Sequence, residues 1–318
     1  MLNAGYAPAL HSGWYLAAVL DELTAPVTPL RIADRRLMAV RSRDGALRVY
    51  DAVCPHRGAD LGHGGTLTRA GIVCPFHGKA VALGDRPGSR YAVPELPSFL
   101  AGPALFVALA PGAVDDRGFR LRMTRLAATH RLFPCPPAEI SVPQELVVEN
   151  AFDLDHFIQV HRIPRVTGAG HGLTDEGAAF CGARFEVRMP AWEGAGGSAD
   201  TVIQNRFHAT AFSPSIVVSE LGAAGTGQAV ITTAVPSPTG CRVRVLNALR
   251  PQPDGTVPED AVRALTEGAR KALDQDAPIW NNLDLSMTPS FDPRDEPVLL
   301  FRDFCEGFAD LAVHHALC

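Results

Sequence analysis

The chain has 318 residues, 47% of them hydrophobic and 20% charged, with a formal net charge of −5. That length and apolar fraction suit an ordinary globular protein of about two domains rather than a disordered chain. The mild acidity, with no run of five like charges, argues against nucleic acid or an anionic membrane surface as partner.

Residues Met1–Gly5 carry neither a basic stretch nor an apolar one, so no signal peptide is expected. Seven cysteines without a secretory signal point to a reducing compartment, and the expected location is cytoplasmic. From Gly13 to Asp51 short apolar bursts (14–16, 29–32, 37–41, 47–50) are broken at Ala33-Asp34 and Asp44-Gly45. The second break is a hairpin signal, and the pattern reads as all-β.

Two loops follow, Cys54-Pro55-His56-Arg57-Gly58 and Cys74-Pro75-Phe76-His77-Gly78. The arrangement is C-x-H, seventeen residues, C-x-x-H, each loop offering one thiolate and one imidazole in a turn built by proline and glycine. A structural zinc site is the competing reading, but zinc usually takes its cysteines as one close pair and its histidines as another. Here the types alternate in two near-copies. That is the ligand set of a Rieske [2Fe–2S] centre, with two cysteines on one iron and two histidines on the other. His63, between the loops, reads as a surface or supporting histidine rather than a fifth ligand.

The most apolar window, Phe99–Val114, is interrupted by Gly102, Pro103, Pro111 and Gly112 and falls short of the ~20 apolar residues a spanning helix needs. A buried strand near a domain edge is expected there, and no membrane association. Prolines 134, 136, 137 and 143 mark a linker.

Asn150–His161 then places Asp153, Asp155, His156 and His161 in an apolar frame. Two histidines with a carboxylate from elsewhere form the facial triad that binds non-haem Fe(II) and leaves positions open. On a helix Asp153 and His156 share a face, whereas His161 lies about 140° around from His156. Both imidazoles reach one metal only if the helix ends or bulges before His161, which Pro164, Gly168 and Gly170 support. Glycine-rich runs at 168–172 and 177–182 suggest a mobile loop over a pocket.

Strand-like stretches at 184–189, 201–211, 215–221, 228–235 and 241–249, with turns at 223–227 and 236–240, form an antiparallel run. Pro258-Glu259-Asp260 opens a helix with apolar positions Val262, Leu265, Ala269, Ala272, Leu273 and Ile279. A last helix is expected over 301–317. The fold class is α+β: an all-β domain over 1–120, then over 121–318 an α+β domain whose antiparallel sheet wraps against a long helix in a helix-grip-like manner. The third metal ligand is expected on or near that helix, with Asp274, Asp276 and Asp284 as candidates.

The run from Cys54 to Leu61 with Cys74–Gly78 resembles the cluster signature of the Rieske-type non-haem iron oxygenases. The segment 274–282 resembles the late-helix motif of the 3-ketosteroid 9α-hydroxylase type. The spacing of Asn150, Asp153, His156 and His161 is similar to that type and to the dicamba monooxygenase and vanillate demethylase types. Two departures stand out: Lys79-Ala80 where the family has an aromatic residue, and Pro278, which would bend the helix just after the motif acid.

The resemblance implies that Cys54, His56, Cys74 and His77 hold a [2Fe–2S] cluster, and that His156, His161 and Asp276 hold a mononuclear Fe(II). It implies that Asp153 bridges His77 and an iron-ligand histidine across a homotrimer interface, with Asn150 supporting and Asp155 turned away. O₂ and a hydrophobic ring compound are the implied substrates, the ring compound being hydroxylated or demethylated. No nucleotide-binding loop is visible, so a separate ferredoxin or reductase supplies electrons. Phe157, Ile203, Phe207, Phe212 and Trp280 are expected to line the pocket. Cys135, Cys181, Cys241, Cys305 and Cys318 have no pairing logic. Alternatives are a Rieske electron carrier with a silent second domain, or a same-fold enzyme that desaturates or cyclises its substrate.

Overall fold

The computed structural model describes residues 9–42, 44–110, 114–189, 201–222 and 228–311, without the side chains of 187–189 and 201–203. In the first part, β-rich bursts stopped by turns build three small sheets. β1 (Trp14–Val19), β2 (Val27–Ile32), β3 (Arg35–Arg41) and β4 (Leu47–Asp51) come first. β5 (Thr66–Thr68), β6 (Gly71–Val73), β7 (Ala80–Leu83), β8 (Ala92–Val93) and β9 (Glu95–Leu96) surround the two Cys–His loops. The orders are β2-β3-β4-β9 and β5-β6-β7-β8. Asp44-Gly45 turns β3 into β4, with Gly45 at φ 86°.

The apolar window that reads as one buried strand is a hairpin: β10 (Ser98–Ala101) and β11 (Ala104–Ala108) pair antiparallel and join β1. Gly102 makes the reversal at φ 56°, a left-handed conformation that glycine adopts without a Cβ clash. This three-stranded sheet packs on the second half of the chain. Trp14, Phe99 and Phe106 share one core with Phe119 and Met123 of α1 (Phe119–Thr129) and with Ile216 and Leu246 beyond.

The second half is organised on an eight-stranded antiparallel sheet. Its strands are β12 (Arg131–Pro134), β13 (Ala138–Ile140), β14 (Arg165–Leu173), β15 (Ala179–Met189), β16 (Thr201–Ser213), β17 (Ile216–Gly222), β18 (Gln228–Ser237) and β19 (Gly240–Leu249). They run in the order β12-β19-β18-β17-β16-β15-β14, with β13 also on β19. The glycine-rich runs read as a mobile loop are therefore paired strands. Gly170 faces Gly182 and Gly172 faces Phe180, and a Cβ at Gly172 would sit 3.2 Å from the Phe180 ring, so glycine permits this close pairing. The expected turn at 223–227 lies outside the described residues.

Helices α2 (Gln144–Glu149), α3 (Leu154–Gln159), α4 (Glu259–Trp280) and α5 (Glu296–Glu306) cover the sheet. α4 follows directly on Pro258 and continues through Pro278 for one half-turn more, so Pro278 sits where the helix is already ending. The last helix begins at Glu296, with Pro297 in its first turn, and stops at Gly307 rather than running to 317. Beyond it Leu311 N–H donates to Leu10 O (2.7 Å) and Ser12 N–H to Ala309 O (3.1 Å), tying the two halves together. Residues 312–318, including Cys318, lie outside the described residues. Among the described residues no helix is long and apolar enough to cross a membrane.

Candidate metal centres

The two Cys–His loops have one backbone design. In each, the glycine N–H returns to the cysteine carbonyl (Gly58 to Cys54, 2.8 Å; Gly78 to Cys74, 3.0 Å). Each cysteine N–H then reaches past the loop, to Ala59 O (2.8 Å) and Lys79 O (2.9 Å). Gly58 and Gly78 take φ 71° and 65°, which an L side chain adopts only with strain. Backbone N–H groups of His56 and Arg57 donate to the Cys54 sulfur, and those of Phe76 and His77 to the Cys74 sulfur.

The cysteines face each other at the buried base, and the two imidazole rings stand 4.8 Å apart above them. Burial, then His77 and the cations Lys79, Arg57 and Arg90, push His56 below its ordinary range, so it is neutral as a metal-binding imidazole must be. His56 Nδ1 is buried without a hydrogen-bond partner. A buried polar atom without a partner is costly, and metal coordination satisfies it. Paired sulfurs fed by amides, with two imidazoles above them, fit a Rieske cluster. Phe76, 60% exposed, lies under the Arg57 guanidinium at the rim. His63 points to solvent near Asp60 and adds no ligand.

The second cluster forms because α3 is short. Asp153 caps it, its carboxylate accepting from Asp155 N–H (3.0 Å) and His156 N–H (3.1 Å). The helix stops at Gln159, and Arg162 adopts a left-handed φ of 58° that turns the chain back. His156 and His161 rings thereby approach to 5.0 Å. Asp276 comes from α4 and is only 7% exposed. Ligand atoms of His156, His161 and Asp276 all lie within 4.8 Å of one another. His161 Nε2 is 3.5 Å from Asp276 Oδ1. Asp274 is exposed, and Asp284 is spent on a surface turn with Ser286.

Supporting contacts aim these side chains. His156 Nδ1 donates to the Asp153 backbone carbonyl, and His161 Nδ1 to Gln275 Oε1 (3.1 Å), which leaves both Nε2 lone pairs for a cation. It is thus the backbone carbonyl of Asp153, not its carboxylate, that meets the iron-side imidazole; the carboxylate is engaged by amides of α3. Burial holds His156 below its ordinary range, hence neutral. Burial also raises Asp276 to about 6, opposed by His161 and by a hydrogen bond from Asn150. Asp155 turns outward to Arg294 (3.2 Å). An acid kept in an apolar setting beside two imidazoles, one of them held below its ordinary range by burial, is a donor set that fits a divalent metal.

The triad opens into a cavity of about 410 Å³ between α4 and the sheet. Phe157, Phe207 and Trp280 line it, joined by Phe185, Val217 and Leu265. Phe212 does not. It stands five residues from Phe207 on β16, on the other face by the two-residue alternation of a strand, and packs on Phe119 in the core shared with β1. The Ile203 side chain lies outside the described residues. Sequence reasoning missed Asn205, Ser219, Thr232 and Asn247, polar residues on the cavity wall. The signal for Asn247 was one amide inside the apolar run 245–249.

Residues 13–99 match the Rieske [2Fe-2S] domain family and residues 115–308 the 3-Ketosteroid 9alpha-hydroxylase C-terminal domain family. The chain is 26% identical, over 96% of its length and 82% of the relative, to the probable 3-ketosteroid-9-alpha-monooxygenase, oxygenase component, of Rhodococcus rhodochrous. It is 30% identical, over 52% of each chain, to the dicamba O-demethylase oxygenase component of Stenotrophomonas maltophilia. In fold it is similar to dicamba monooxygenase bound to 3,6-dichlorosalicylic acid, with TM-score 0.70, 19% identity, and 94% of this chain and 97% of that one covered.

Proposed function

The chain belongs to the Rieske non-haem iron oxygenases that carry a 3-ketosteroid 9α-hydroxylase-type catalytic domain, and from this we propose its working parts and reaction. It is an oxidoreductase whose cofactors are a Rieske [2Fe–2S] cluster and a mononuclear iron. In our reading Cys54, His56, Cys74 and His77 hold the cluster within a domain of residues 1–120. His156, His161 and Asp276 hold the iron within residues 121–318. The observation that carries the reading is the convergence of those three side chains at the mouth of an apolar cavity.

When bound, the iron supplies dioxygen activation and the cluster supplies electrons. The protein's own contribution is positional. Gln275 and the Asp153 carbonyl fix the two imidazoles, and Asn150 steadies Asp276. Phe157, Phe207 and Trp280 hold a hydrophobic ring compound against the triad and keep bulk water out. Oxygen then enters the substrate as hydroxylation or oxidative demethylation.

Asp153 is the bridge for electrons. Its backbone carbonyl contacts His156, and Asp153 lines a second depression with Asn150 and Asp276, where a partner's histidine would dock. That role requires a homotrimer in which one subunit's His77 meets its neighbour's Asp153. Electrons arrive from a separate ferredoxin or reductase, and the setting is cytoplasmic. The test is metal content. Purified enzyme should carry about three irons per chain, two in the cluster and one at the triad, and Asp276→Ala should lose one while keeping the visible cluster spectrum. A carrier with a silent second domain would hold about two in both proteins.

A further inference from the structure

Apart from both metal centres, a crevice of about 140 Å³ lies where the two halves of the chain meet. Glu22 and Arg31, from the first half, wall it on one side. Ser237, Arg242 and Arg244, from the β18–β19 hairpin, wall it on the other. Ala33 N–H donates to Pro236 O (2.8 Å), which joins the two walls through the backbone. A cavity of roughly 150 Å³ admits benzene, so a small polyatomic guest fits this one.

Among the described residues lining the crevice, three arginines face a single carboxylate. That carboxylate is already committed, because Glu22 pairs with Arg244 and accepts from Val19 N–H (3.0 Å). Arg242 pairs with Glu139 (2.6 Å) in a solvent-exposed contact. Arg31 is left over. Among the described residues it has no hydrogen-bond or ion-pair partner, and across the β2–β3 pair it stands directly opposite Arg36. Like charges so placed repel, and an anion beside Arg31 relieves that cost. The Ser237 hydroxyl is a second group in want of a partner, buried and without a hydrogen bond.

We propose that this crevice binds a tetrahedral oxyanion, phosphate or sulfate, through Arg31, Arg244 and Ser237. Guanidinium groups match such oxygens with paired N–H donors, and a serine hydroxyl adds one more. A tetrahedral guest carries oxygens for both walls, whereas a carboxylate has two along one edge. Because the donors come from both halves, the bound anion clamps the cluster-bearing part to the catalytic part. None of these residues is assigned to a metal, so the site is independent of the oxygenase reading.

The test is equilibrium dialysis of radiolabelled inorganic phosphate against the iron-replete enzyme. Binding should saturate at one phosphate per chain. Arg31→Gln should weaken it by about tenfold or more, the worth of a charge-assisted hydrogen bond, and Ser237→Ala by about 3- to 10-fold. Neither side chain has a partner in the fold, so both variants should keep the wild-type melting temperature in phosphate-free buffer. Sulfate should displace the label at concentrations where acetate does not. Phosphate should also raise the melting temperature above that in sodium chloride of equal ionic strength, and do so less in the Arg31 variant. Phosphate held by iron instead would be indifferent to Arg31. No saturable binding, an unchanged affinity in either variant, or displacement by acetate as readily as by sulfate would overturn the proposal.

Discussion

Asp276→Asn should stabilise the metal-free protein at neutral pH. Burial lifts this carboxyl from 3.8 to about 6. Below pH 3.8 both folded and unfolded chains carry the proton, and burial costs nothing through ionisation. Between 3.8 and 6 the unfolded chain ionises while the folded one holds its proton, so stability falls as pH rises. Above 6 the full penalty remains. Roughly two pKa units at 1.36 kcal/mol each give about 3 kcal/mol. Asparagine keeps the shape and the Asn150 contact but cannot ionise. At pH 7.5 the chelated variant should therefore melt above chelated wild type by roughly 6–12 °C if the catalytic domain unfolds as a unit. The gap should shrink towards pH 4. Added Fe(II) should reverse the order, because only wild type regains a cation beside the acid. The assay is thermal melting of both proteins across pH, with and without iron. A chelated variant melting at or below wild type at pH 7.5 would refute the view that burial penalises the Asp276 carboxylate.

Asp153→Asn should keep both metal centres and largely abolish turnover. Asparagine caps a helix as well as aspartate does, so the melting temperature should move little; wild-type turnover with intact centres would remove the bridge. Gln275→Leu should free the His161 ring and weaken iron binding by about 10- to 100-fold, read by titration with Fe(II). Gly78→Ala, at φ 65°, should strain the second cluster loop by about 1–2 kcal/mol and speed bleaching of the visible cluster spectrum.

What the sequence made legible was local chemistry. Cys54, His56, Cys74 and His77 declare themselves because each loop carries its ligands within four residues, and glycine marks the turn that presents them. The early end of α3 could be argued from the angular gap between His156 and His161. Asp276 was harder. Spacing left Asp274 and Asp284 open, and only the resemblance singled it out before burial separated the three. Phe212 was misplaced because strand parity was not applied across β16. The 168–182 segment was misjudged because glycine signals looseness in isolation but allows close pairing once a partner strand is present. The grouping of Ser219 with Asn247 on the cavity wall was invisible for a deeper reason: both flank Val230, and that row exists only after three strands are set in register.

Diffraction at the iron absorption edge from crystals of the purified enzyme tests the central claim most directly. It should show a two-iron peak between Cys54, Cys74, His56 and His77, and a separate single iron bonded by His156, His161 and Asp276. Zinc between the cysteine loops, or no iron beside Asp276, would contradict it.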